Sequence, residues 1–195
     1  MLRINSGSAS NKTLIWLHGL GADSNDFAPF FSNSCFNEYE IILPNAPHRK
    51  ITLNQNFEMR AWFDMKSLNL DDLDEEDFMK SSKILDAIIV DKLKKNPKTK
   101  IYIGGFSQGA ALSIFYGLNS IYKINGVISF SGFLPKFNYQ NKIVTKPILK
   151  VHGIYDDIIN FQISKKTFDL LSFSNLVSKS YNMGHEVIEK QVVDL

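Results

Sequence analysis

Cysteine is almost missing from this chain: Cys35 is the single one among 195 residues. An intramolecular disulfide framework is therefore excluded, and a reducing compartment suits the composition. Long hydrophobic runs are lacking too. The first apolar run, TLIWL at 13–17, is far short of the roughly 20 residues that span a bilayer. No basic start and apolar stretch of a signal peptide precedes it, so the expectation is a cytoplasmic protein without a transmembrane segment. Nor does charge of one sign dominate: 22 Lys and Arg face 20 Asp and Glu. Without a dense basic stripe, nucleic acid is not an expected partner. The one basic cluster, LKKNPKTK at 93–100, suits a helix end that proline stops. Metal-binding patterns are also wanting. The acidic run DDLDEED at 71–77 has neither the glycine nor the spacing of an EF-hand, and fits acids leading into a helix at Asp77. No metal and no cofactor is expected. Repeats, low-complexity tracts and Pro/Gly/Ser linkers are absent, so residues 1–195 are read as one domain. Cys35 itself is read as a small buried residue.

What is present is an alternation of two patterns. TLIWLHG (13–19), EIILPNAP (40–47), KIYIGG (100–105), NGVISFSG (125–132), PILKVHG (147–153) and LVSKSY (176–181) read as strands. Several are apolar at nearly every residue, as parallel strands covered on both faces must be. Between them, Leu85, Ile89 and Leu93 recur every four residues within DFMKSSKILDAIIVDKLKKN, an amphipathic helix. QGAALSIFYGLN and ISKKTFDLLSF are shorter helical candidates. This order predicts an α/β fold with a single, mostly parallel sheet flanked by helices. Residues 47–76 keep no steady period yet hold Met59, Trp62, Phe63, Met65 and Leu68. They read as a lid-like excursion with a functional purpose.

Gly105-Phe106-Ser107-Gln108-Gly109 matches G-x-S-x-G between an apolar strand and a helix, the setting of a nucleophile elbow. Glycines two residues either side remove clashes across a tight turn, and Ala110 and Ala111 let the helix approach the sheet. The hydroxyl then stands at a helix N-terminus, where backbone N–H groups favour negative charge. Serine needs a base, and in this fold the chain order is serine, carboxylate, histidine. Of the four histidines, His152 and His185 follow Ser107. Only His185, in YNMGHEV, has a carboxylate at a strand end between it and the serine. His152 reads as a turn residue ending its strand, and His18 as shaping the turn after the first strand. The carboxylate is Asp156 or Asp157 of HGIYDD, and chemistry alone does not choose.

HGLGAD (18–23), APHRKITLNQNFEMRAWFDM (46–65), GGFSQGAALS (104–113), SGFLP (131–135), HGIYDD (152–157) and YNMGHEV (181–187) together resemble the phospholipase/carboxylesterase family, which includes acyl-protein thioesterases and small carboxylesterases. The resemblance implies the α/β-hydrolase fold and a serine hydrolase cleaving carboxylic esters or thioesters through an acyl-enzyme. It assigns the triad acid to Asp156, and oxyanion-hole N–H groups to Leu20 and Gln108. It sets Trp62, Phe63 and Met65, with Met59, Leu68 and Leu70, beside an acyl pocket; their alternative is a subdomain core. A C-terminal helix is expected to begin near Glu186 and to stop at Leu195, where members of the family usually continue. Implied partners are an acyl ester or thioester, as a small molecule, lysophospholipid or acylated protein, and the pattern allows a homodimer. A hydrolase-fold binder without turnover is the rival reading, although a pure binder has no need of Ser107, Asp156 and His185 together. The chain departs from the family in DDIINF, where members commonly place a proline after the two apolar residues.

Overall fold

The computed structural model describes residues 1–5, 11–68, 70–140, 143–188 and 191. Along the chain run β1 (Leu2–Ile4), β2 (Lys12–Leu17), α1 (Ala28–Phe31), β3 (Glu40–Leu43), β4 (His48–Ile51), β5 (Phe57–Arg60) and α2 (Glu75–Lys95). There follow β6 (Lys100–Phe106), α3 (Gln108–Asn119), β7 (Ile124–Phe130), β8 (Ile143–Val144), β9 (Ile148–Gly153), α4 (Phe161–Phe168), β10 (Ser172–Phe173) and β11 (Leu176–Tyr181). Seven strands form the main sheet in the order β1-β3-β2-β6-β7-β9-β11. β1 pairs antiparallel with β3, and every other neighbour in that sheet is parallel. All six expected strands lie in it. The expected C-terminal helix falls largely on residues outside those described.

The central parallel strands are apolar on both faces because both faces are covered, while the edge strand β11 is largely exposed. In β2, Leu14 and Trp16 point into one cluster with Phe27, Phe31, Phe36 and Phe130, while Ile15 and Leu17 point into another with Leu85, Ile89 and Leu112. Successive side chains of a strand face opposite ways, so one hexapeptide serves two cores. α2 starts where Asp74 accepts a hydrogen bond from the N–H of Glu76, with Glu75, Glu76 and Asp77 in its first turn and Lys92, Lys94 and Lys95 in its last. That charge order complements the helix dipole at both ends, as the acidic and basic runs anticipated. α3 is buried from Gln108 to Gly117, which its run of small residues permits.

The excursion is a wall of the molecule's cleft and not a free flap. β4 and β5 form an antiparallel hairpin, and the turn between them is held by Asp64, whose carboxylate accepts from the Thr52 N–H at 2.8 Å and the Thr52 hydroxyl at 2.6 Å. Asp77 pairs with Arg49 at 2.5 Å and ties the hairpin to the start of α2. Cys35 corrects its expected burial: it is exposed, because in the short turn Ser34–Phe36 the neighbouring Phe36 takes the inward place.

Candidate active site

The site lies at the C-terminal ends of β2, β6, β9 and β11, where an open parallel sheet leaves a crevice. β6 ends at Phe106 and α3 begins at Gln108, so Ser107 makes the whole turn alone. It does so at φ 54° and ψ −116°, a backbone region that costs an L-residue about 1–3 kcal/mol and persists only when its surroundings enforce it. A Cβ on Gly105 would stand 2.5 Å from the Gly109 carbonyl carbon. One on Gly109 would stand 2.5 Å from the His18 carbonyl oxygen and closer still to that of Leu17. Both obstacles are backbone, so the glycines are a steric requirement of the turn.

His185 and Asp156 reach the serine from adjacent strands. The loop after β11 carries His185, and the loop after β9 carries Asp156. The two loops are tied together: Ile154 N–H donates to the Tyr181 carbonyl at 2.9 Å and Tyr155 N–H to that of Met183 at 3.1 Å. His185 Nε2 lies 2.9 Å from Ser107 Oγ, and Nδ1 lies 2.8 Å from Asp156 Oδ2. A carboxylate accepts, so Nδ1 carries the proton and bare Nε2 faces the serine hydroxyl. Phe106 flanks the imidazole with ring centroids 4.7 Å apart.

The Asp156 side chain is wholly buried. Burial opposes its ionisation, but His152 and His185 beside Oδ2 and the Ile159 N–H on Oδ1 hold its carboxyl well below the usual carboxylate range. The Ile158 N–H also donates to Oδ1, at 3.1 Å, and that of Ile159 at 2.8 Å. Asp157 is exposed. At the departure from the family pattern, Asn160 stands where the proline was expected. Its side chain accepts from the N–H groups of Gln162 and Ile163 and caps α4, so the loop gains a helix cap in place of a rigid φ.

Opposite the serine, His18 organises the β2 turn. Its Nδ1 lies 2.7 Å from the Gly19 carbonyl, which can only accept, and its Nε2 accepts from Ala46 N–H at 3.0 Å. Both nitrogens are used by the neutral ring, and burial pushes its pKa down. Because the Gly19–Leu20 peptide is trans, fixing its carbonyl toward His18 turns the Leu20 N–H the other way. Gln108 opens α3, so its N–H has no acceptor within the helix. Its side chain accepts from Trp62 N–H and donates to the Phe63 carbonyl, each at 2.8 Å.

Those bonds correct one expectation. Trp62 and Phe63 are fully buried and do not line the cleft. Trp62 donates its indole N–H to the His18 carbonyl at 2.9 Å, and Phe63 stacks on Phe78 at 4.0 Å. They brace the turn on which Leu20 sits. Leu70 also belongs to the core, while Met65 and Leu68 do face the cleft. The cleft, about 830 Å³, reaches Ser107 and His185 and is lined by Phe27, Phe30, Leu53 and Ile158 as well. These four lie on three segments, Phe27 and Phe30 sharing the one at α1, that only the tertiary structure joins, so no local motif announces them. Among the described residues, no helix is long and apolar enough to cross a membrane.

Comparison with known proteins supports the same kinship. The phospholipase/carboxylesterase family model matches residues 3–195. Acyl-protein thioesterase 1 of Candida albicans is 34% identical over 212 residues, covering 97% of this chain and 91% of that protein. Acyl-protein thioesterase 1 homolog 1 of Dictyostelium discoideum is 38% identical over 170 residues, covering 82% and 75%. Among solved structures, Arabidopsis thaliana SOBER1 superposes with a TM-score of 0.80 at 25% identity, covering 94% of each chain. Zea mays acyl-protein thioesterase 2, at 24% identity and a TM-score of 0.81, covers 99% of this chain and 94% of its own, and shares the fold.

Proposed function

The chain belongs to the phospholipase/carboxylesterase family, and from that premise we propose that Ser107, Asp156 and His185 are the triad with which it hydrolyses carboxylic esters or thioesters. The observation that carries the reading is the unbroken chain from Ser107 Oγ through His185 to the buried Asp156, 2.9 Å and then 2.8 Å. Ser107 Oγ attacks the acyl carbon as its proton passes to His185 Nε2, and Asp156 stabilises the imidazolium. Leu20 and Gln108 N–H groups hold the developing oxyanion; a lone donor of this kind is worth about 10²–10³ in rate. His185 then protonates the departing alkoxide or thiolate. Water enters by the same base and releases the acid. The apolar cleft walled by Leu53, Met65 and Leu68 takes the acyl chain.

Acyl-protein thioesterases among the relatives make an acylated protein the first substrate to try, with lysophospholipids and small esters beside it. A cytoplasmic setting fits a chain with one cysteine. A fluorophosphonate probe tests the reading. Wild type should label and turn over p-nitrophenyl esters, while folded Ser107→Ala should do neither, with kcat down about 10⁴–10⁶-fold. Unlabelled wild type would indicate a binder, and turnover by Ser107→Ala would move the nucleophile elsewhere.

A further inference from the structure

His152 is the penultimate residue of β9 and is almost wholly buried. Its Nε2 lies 2.7 Å from the carbonyl of Ile159. A carbonyl only accepts, so that nitrogen carries the ring's proton. The same nitrogen lies 3.3 Å from Asp156 Oδ2, the oxygen that holds His185. Ile159 in turn gives its own N–H to Asp156 Oδ1. Strand, loop and carboxylate therefore close a ring of contacts: His152 to Ile159, Ile159 to Asp156, Asp156 back to His152.

The other ring nitrogen marks what this histidine is for. Nδ1 is buried and has no hydrogen-bond partner among the described residues. A ring placed only to pack against Phe161, 5.8 Å away edge-on, would serve better as phenylalanine, which buries no unmatched ring nitrogen. The site tolerates an unmatched Nδ1 to obtain a donor at Nε2. We propose that His152 is a positioning residue for the reaction: its Nε2–H ties the loop through Ile159 and braces Asp156 Oδ2, so the carboxylate stays aimed at His185 through each proton transfer. The inference rests on the triad reading above.

Glutamine and phenylalanine separate the donor from the ring. His152→Gln can place an amide N–H near the position of Nε2, whereas His152→Phe keeps the ring against Phe161 and removes the donor. Measured per probe-titrated active site, His152→Phe should lose roughly 10–100-fold in kcat, the size of a lost hydrogen bond within a charged network, with KM unchanged. His152→Gln should recover most of the loss. Should His152→Phe fail to fold, His152→Asn takes its place, since its shorter amide cannot reach the Ile159 carbonyl and it should be slower than His152→Gln. Wild-type kcat in the donorless variant, or phenylalanine outperforming glutamine, would overturn the role. Asp156→Asn run in parallel keeps the two readings apart. If it stays active the triad reading falls; if it is dead while the His152 variants are all equal, only this inference falls.

Discussion

Substituting Asp156 by asparagine changes a few atoms and should nearly abolish turnover, for a reason the hydrogen bonds supply. Oδ1 accepts two backbone N–H groups, from Ile158 and Ile159. The amide oxygen must stay there, because an NH₂ group would face two donors. The new Nδ2 then occupies the place of Oδ2, 2.8 Å from His185 Nδ1. It can only donate, so Nδ1 must accept and the proton moves to Nε2, facing a serine that now finds no base. In serine proteases this tautomer change costs about 10⁴ in kcat, or about 5.5 kcal/mol at 1.36 kcal/mol per decade. Exposed Asp157 has no such neighbours among the described residues, and Asp157→Asn should keep most of the activity. Stability offers a second readout. The folded carboxyl of Asp156 is depressed, so its contribution is complete above the unfolded value of about 3.9 and is lost as pH falls through the folded one. Wild type should therefore be more stable than Asp156→Asn at pH 7, with the gap closing below about pH 4. Steady-state kinetics and urea unfolding of both variants decide the matter. Inactive Asp157→Asn beside active Asp156→Asn would shift the triad acid by one residue, and mild effects in both would send the carboxylate elsewhere in the chain.

The parts of this protein that could be read from sequence are those whose physical demand is local. β2, β3, β6, β7 and β9 are legible because strands covered on both faces are apolar at most positions, whereas β11, at the sheet edge, is largely exposed and carries Ser178, Lys179 and Ser180. The elbow is legible because the pattern itself spans five residues, although the atoms that forbid a side chain on Gly109 are the Leu17 and His18 carbonyls of β2 and its turn, which only the fold brings there. β1 escapes notice: LRI is three residues long, and its place at the sheet edge is set by pairing with β3. The hairpin HRKI and FEMR escapes too, being largely solvent-facing and without alternation. Trp62 and Phe63 mislead for a different reason. Aromatic residues near a catalytic serine either line its cleft or hold its scaffold, and composition cannot separate the two. What decides is the buried side chain of Gln108, two of whose bonds go to their backbone. His152 reads as a turn residue because its acceptor, Ile159, is brought back to it only by the closing of the Asp156 loop.

Three further outcomes follow from the packing. Gly109→Ala should destabilise by more than the 1–3 kcal/mol usual for overpacking, because the new methyl meets the carbonyls of Leu17 and His18. Helix propensity alone would stabilise by about 1 kcal/mol, so a higher Tm would refute the steric account. Along a p-nitrophenyl ester series, each methylene held in the cleft should add up to about 0.8 kcal/mol, roughly fourfold in kcat/KM, and Leu68→Ser should flatten that slope while sparing acetate. The last outcome concerns Lys150, a lysine 3% exposed on β9 with its ammonium over the rings of Phe161 and Phe168. Burial, aided by Lys165 and opposed by Asp169, pushes it down from 10.5 to about 8. Below that value the lysine is charged in both folded and unfolded chains, and the folded state bears the whole cost of desolvation. Between about 8 and 10.4 the unfolded chain binds more protons than the folded one, so wild-type stability rises with pH. Lys150→Met lacks this dependence. Relative to Lys150→Met, wild type should thus gain about 2.5 kcal/mol between pH 7 and pH 10, less if the side chain rearranges toward water. Without an ammonium the variant also forgoes the cation–π attraction to the two rings, about 0.5–2 kcal/mol, which offsets part of its advantage at pH 7. Urea unfolding at the two pH values measures the difference directly. Parallel curves for the two proteins would mean that the ammonium reaches solvent in the folded state and that β9 buries no charge there.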